Sequence, residues 1–247
     1  LENFRAKNMR GIPVLWLGIP NDILLAIQGE IQKLGTICIR LDQNSINDFD
    51  IEAEIRRITD NLGIEISNVD IVLDFGYFKN DQESILTSFS KSTINDLFQV
   101  ENYNRLILSM TSFPENLSGI NGDSITRVRR SEWAVWQELM NSPKLKRKPN
   151  FSDYAVSNPL LTEIDPRIIQ MSASIRYTIE NEWLILKGRG VKAHGFEQFF
   201  ELSNKSPLEQ HEKLIRSSIN DISSDLKYFR ESGIRFAKSG RFNKYSA

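Results

Sequence analysis

The sequence predicts an α/β fold: an incomplete TIM-barrel-like (β/α) domain with a mostly parallel sheet, a C-terminal β-hairpin and a long C-terminal helix. Three observations predict it. Short apolar runs alternate with amphipathic stretches through the first half, the pattern of βαβ units. Glycines close two of those stretches, at Gly35 and Gly63. Farther on, two strand-like runs flank a tight turn at Asn181, which reads as an antiparallel hairpin.

The elements follow in order. Residues 13–19 are an apolar run with Val14, Leu15 and Trp16, too short for a helix. Asn21 or Asp22 caps a stretch with Ile23, Ala26, Ile27, Ile31 and Leu34 on one face, closed by Gly35. Residues 36–41 are the next strand. Asp50 opens a helix through Ile51, Ile55, Ile58 and Leu62, closed by Gly63. A third strand, 69–75, ends at Gly76; a helix over 84–98 and a fourth strand over 105–111 follow. Such alternation implies a parallel sheet buried on both faces. Residues 127–141 are expected to be a helix bearing Trp133 and Trp136, whose spacing is commoner in a core than in a ligand platform. A loop over 142–150 carries Lys144, Lys146, Arg147 and Lys148, either as a solvated surface or as a phosphate contact. Strands are expected at 152–156, 171–178 and 183–187. From 207 to 231 runs a mostly polar helix with Leu214, Ile215, Ile219, Ile222, Leu226 and Phe229 as its apolar stripe. The division expected is a barrel-like domain, 1–206, and a helical extension, 207–247.

Composition narrows the classes. The chain has 247 residues, 40% hydrophobic and 26% charged, enough for a sizeable core. The net charge of −1 supplies no global basic field for nucleic acid. One cysteine, Cys38, excludes a disulfide framework within the chain and suits a reducing, cytoplasmic location. No stretch approaches the ~20 apolar residues of a membrane span, so no membrane partner is expected. The chain starts without Met, and its last element lacks a stop signal. Both ends are therefore expected to be cut from something longer.

Strand parity gathers the polar residues. Cys38, Arg40 and Asp42 share a face, as do Val72 and Asp74, and Ser109 and Thr111. The same holds for Asp153, Ala155 and Ser157, for Ser172, Ser174, Arg176 and Thr178, and for Trp183, Ile185 and Lys187. Charged and hydroxyl groups thus collect near carboxyl ends of strands, where α/β sheets bind ligands. The competing reading is a structural network in which Arg40, Asp74, Asp153 and Arg176 satisfy one another. What is missing limits the chemistry. With only His194 and His211, a Cys/His zinc site and a Cys–His nucleophile pair have little to build on. Gly188-Arg189-Gly190 is no phosphate-loop fingerprint. Carboxylates with Arg and Lys remain. They can clamp a phosphate or carboxylate through Arg, or hold Mg²⁺ through Asp42, Asp74 and Asp153.

Several segments carry a family resemblance. They are Leu73-Asp74-Phe75-Gly76; Arg129-Arg130-Ser131-Glu132-Trp133 with Trp136; Phe151-Ser152-Asp153-Tyr154; Ser172-Ala173-Ser174-Ile175-Arg176-Tyr177-Thr178; and Trp183-Leu184-Ile185-Leu186-Lys187-Gly188. In order and spacing, over roughly residues 13–200, they resemble the beta family proteins of bacteria and phage. The resemblance implies further N-terminal strand–helix units that would complete a (β/α)₈-like barrel. It also implies a terminal Phe-Ser-x-Gly-Asp-like segment and a His pair. Residues 236–241 depart from the first, and the second is absent. Members look like accessory genes of mobile elements, which implies a part in phage–host conflict. The matching segments contain Asp74, Asp153, Arg176 and Lys187, and add Arg129, Arg130, Glu132 and Tyr154 as ligand-binding candidates.

Three functions compete at this point. One is a Mg²⁺-dependent phosphodiesterase- or nuclease-like barrel enzyme. In it Asp74, Asp153 and Lys187 are catalytic candidates, while Arg40 and Arg176 hold the phosphate-bearing ligand. The second is a non-catalytic defence or accessory protein with an anion site at the strand ends, meeting a protein partner through residues 207–231 and the basic loop. The third is nucleic-acid binding through that loop with Arg127, Arg129 and Arg130.

Overall fold

The computed structural model describes residues 11–160, 171–179 and 181–204. They divide into two compact units: 11–113 with 130–159, and 114–129 with 160, 171–179 and 181–204. The long helix expected over 207–231 lies outside the described residues.

In the first unit, strand β1 (Val14–Trp16) leads to helix α1 (Asn21–Leu34), β2 (Ile37–Asp42), α2 (Gln43–Asp48) and α3 (Ile51–Leu62). Then come β3 (Val69–Tyr77), α4 (Glu83–Asp96), β4 (Arg105–Thr111), α5 (Ser131–Asn141) and β6 (Asn150–Ser152). The five strands form one parallel sheet in the order β1-β2-β3-β4-β6. No closed barrel forms among the described residues.

Alternation decides what the sheet buries. Ile37, Ile39 and Leu41 of β2, Ile71 and Leu73 of β3 and Leu106 and Leu108 of β4 join one core. Leu24 and Ile31 of α1, Ile55, Ile58 and Leu62 of α3, and Leu86 and Ile94 of α4 belong to it too. The alternate residues are more polar or more exposed: Val14 and Trp16 are 56% and 50% exposed, and Arg40, Val72, Asp74 and Ser109 share this parity. The expectation of a sheet buried on both faces therefore fails at β1.

The helix ends follow their local chemistry. Gly35 and Gly63 close α1 and α3 in the left-handed conformation, at φ 71° and 66°. Asp50 caps α3 by accepting from the Ala53 amide. Neither Asn21 nor Asp22 caps α1, because Pro20 holds that position; Asn21 instead accepts from Arg57. Helix α2 is absent from the sequence reading. It forms because Asp42, the last residue of β2, accepts from both the amide and the hydroxyl of Ser45 at 2.8 Å.

The second unit holds a three-stranded antiparallel sheet, β5-β8-β7, made of β5 (Ser124–Arg129), β7 (Ser172–Ile179) and β8 (Glu182–Gly190). Helices α6 (Val191–His194) and α7 (Gln198–Asn204) follow. The expected hairpin is β7–β8. The expected helix over 127–141 is corrected: it starts at Ser131, and the residues before it form β5. Burial alternates strictly along β5, and Ile125, Thr126 and Val128 favour a strand.

Gly188 sits where β8 meets α7. A Cβ there would lie 2.5 Å from Gln198 Oε1 and 3.2 Å from both Ala173 Cβ and Leu202 Cδ1. The Gln198 amide is fixed, accepting from the Arg189 amide at 2.8 Å and donating to the Gly195 carbonyl at 2.7 Å. Gly188→Ala is thus expected to cost about 1–3 kcal/mol by overpacking, read as a lowered denaturation midpoint. Among the described residues no helix is long and apolar enough to cross a membrane.

Candidate functional site

The polar residues at the strand ends of the first unit form two linked groups. The open group centres on Arg40. Asp42 and Asp74 stand in register at the ends of β2 and β3, and Arg40 Nε donates to Asp74 Oδ2 at 2.7 Å. Asp74 is buried, whereas the Arg40 side chain is 48% exposed. The Tyr154 hydroxyl donates to Asp74, its oxygen 2.5 and 2.6 Å from the two carboxylate oxygens. The Gly76 amide donates to the same carboxylate at 3.0 Å. It is turned inward by a bulge between Asp74 and Gly76, where Gly76 takes φ 61°. Burial, then the bond to Asp74 and its charge, push the Tyr154 phenol up to about 12. Asp74 mainly, and Tyr154 in smaller part, hold the Arg40 guanidinium above its ordinary range against the opposing effect of burial.

The closed group centres on Arg130, which is 6% exposed. Its Nε donates to Glu132 at 3.0 Å and its Nη2 to Asp153 at 2.8 Å. The guanidinium carbon lies 5.5 Å from the ring centroids of both Trp133 and Phe151, within cation–π range. Trp133 and Trp136 stack at 4.9 Å and Phe151 meets both edge-on. Trp133 and Phe151 thus cover an ion pair, and Trp136 backs them both. Glu132 is fully buried and accepts from the hydroxyl and amide of Ser112 at 2.8 and 3.2 Å. Burial lifts its carboxyl above the usual range, opposed first by the Ser112 hydroxyl and more weakly by Arg130. Asp153 and Tyr154 are adjacent, so one turn ties both groups together. Ala155, at φ 53°, lets its amide bond Asp153 at 2.9 Å.

Several sequence expectations are corrected here. Asp153 lies past β6 in that turn rather than within a strand over 152–156, so its parity argument fails. Arg176 and Lys187 belong to the antiparallel sheet of the second unit, not to the parallel one. Hairpin geometry at Asn181 and the pairing of β5 on β8 put them there. Lys187 Nζ donates to the carbonyls of Leu117 and Ile120 at 2.5 and 2.6 Å, bracing a loop of its own unit. Arg176 and Arg129 are exposed residues of β7 and β5. Asp42, Asp74 and Asp153 do not converge as metal ligands, and no group of three such residues is present among the described residues. Asp42 is committed to Ser45, whose bonds hold it below the usual carboxylate range. In the basic loop, Arg147 donates to the carbonyls of Val100, Glu101, Tyr103 and Asn104, and Lys146 to that of Asn95. Those two cations tie down turns and are spent. Ser112 is a site residue that sequence reasoning missed; its position just past β4, one residue beyond Thr111, was the available signal.

Neither the curated proteins nor the solved structures contain a match to this chain. A protein-family model described as Beta protein matches residues 1–206, which takes in both units' described strands and every residue of the two polar groups, and the chain belongs to that family.

Proposed function

We propose that this chain is a ligand-binding accessory protein of bacterial or phage mobile elements, and that Arg40 takes the anionic group of its ligand, a phosphate or carboxylate. The observation that carries the reading is how Arg40 is held. Its Nε is committed to a buried carboxylate at 2.7 Å while nearly half of the side chain stays exposed. A guanidinium held by Asp74, with Tyr154 as a weaker second partner, presents its remaining donors to an oxyanion. Two further points support it. The strand order rises along the sheet without reversal, the winding of a (β/α) barrel, and such sheets take ligands at their carboxyl ends. Arg130, by contrast, is already saturated by Glu132 and Asp153.

Local charge opposes the ligand, since Asp42 and Asp74 flank a single arginine. Recognition therefore rests on directed bonds, and affinity is modest. Inorganic phosphate or malonate should raise the unfolding midpoint of the wild type, and Arg40→Gln should abolish the rise. Equal stabilisation of both proteins overturns the reading. The accessory role predicts lower phage plating on cells carrying the full reading frame, restored by Arg40→Gln.

A further inference from the structure

We infer that a separate cavity on the first unit, between α2, α4 and the end of β3, binds a planar, uncharged heterocycle of the nucleobase class. The cavity holds 440 Å³, within the about 300–1,000 Å³ of small-molecule sites. Arg40 does not line it. Its apolar side combines the aromatic Tyr77, Phe78 and Phe89 with the aliphatic Ile85 and Leu86. Phe78 is buried, and Phe89 packs against Phe75 with ring centroids 5.2 Å apart.

The polar side is dominated by amides, Gln43 and Asn47 from α2 and Gln82 from the turn before α4, with the Tyr77 side chain also in the lining. No charged residue lines the cavity. An ionised ligand group placed against these rings would go unpaired, which is costly. Gln82 is fixed, its Oε1 accepting from the Lys79 amide at 2.9 Å, which leaves its NH₂ to donate. Gln43 and Asn47 make no side-chain hydrogen bond among the described residues. Each amide offers both donors and an acceptor. Donors and acceptors beside aromatic and aliphatic side chains complement a ring with a hydrogen-bonding edge and two π faces. An apolar ring fills the walls but leaves the amides unused.

Aromatic ¹³C NMR of the whole chain, following Tyr77 and Phe89, tests this with adenosine, guanosine, cytidine, uridine and toluene as probes. At least one nucleoside is expected to shift both residues saturably, and more tightly than toluene. The double variant Gln43→Ala, Asn47→Ala should weaken that nucleoside by about tenfold or more. Both residues are exposed, so the variant should unfold at the wild-type midpoint. No shift with any nucleoside, toluene binding as tightly, or undiminished binding by the double variant overturns the inference. Because nucleosides carry no phosphate, the result is independent of Arg40.

Discussion

Replacing Arg130 by methionine is expected to destabilise the protein by about 3–5 kcal/mol, the cost of leaving one half of a buried ion pair behind. Methionine refills much of the volume between Trp133 and Phe151, so the loss is chiefly electrostatic. Glu132 keeps its Ser112 donors but has no cation, in a position with no solvent exposure. The effect depends on pH. Burial already lifts Glu132 above its ordinary 4.5. A carboxyl raised in the folded state supports folding while protonated, and that support is lost as pH rises from the ordinary value through the folded one. Without Arg130 the folded value climbs further. Urea titrations should therefore show a small difference from wild type at about pH 5 and a larger one at about pH 8. A difference that is constant or shrinks with pH would show that the pair is not what Arg130 supplies.

Asp74→Ala is the second large effect. It strips the acceptor from the Tyr154 hydroxyl and the Gly76 amide, each worth about 1–3 kcal/mol when left unsatisfied in a buried setting. Arg40 is half exposed and adds little to stability. A loss of about 2–4 kcal/mol is expected, together with loss of phosphate-induced stabilisation, because Arg40 is no longer oriented. The Tyr154 phenol should ionise below its present value of about 12. Burial, which raises it, and Arg40, which lowers it, both remain. Tyrosine Cζ chemical shifts against pH read this directly. Unchanged ionisation of Tyr154 would mean that Asp74 does not control it.

The parallel sheet was legible because its signals are local. The apolar runs of β2, β3 and β4 and the caps at Asp50, Gly35 and Gly63 need no tertiary knowledge. Helix α2 was not, since its cap, Asp42, read as a strand-end ligand; one carboxylate suits both roles. Strand β5 was hidden because Arg127 and Arg129 sit at positions that also fit a helix, and its partner, β8, lies more than fifty residues away. Parity gave Arg40 and Asp74 correctly as one group. It could not tell that Arg176 and Lys187 stand on another sheet, because face alternation says nothing about which strands pair. Arg130 and Glu132 were picked out on the expected helix and Tyr154 through family resemblance alone, and their roles became readable only with Ser112 and the turn at Ala155 in view.

The central claim is that Arg40 is the open cation of an otherwise closed polar network. ¹⁵N-arginine side-chain NMR during an inorganic phosphate titration tests it most directly. The account predicts a saturable shift of the Arg40 guanidinium resonances, with those of the buried Arg130 unmoved. A silent Arg40, or a shift at Arg130 in its place, would contradict it.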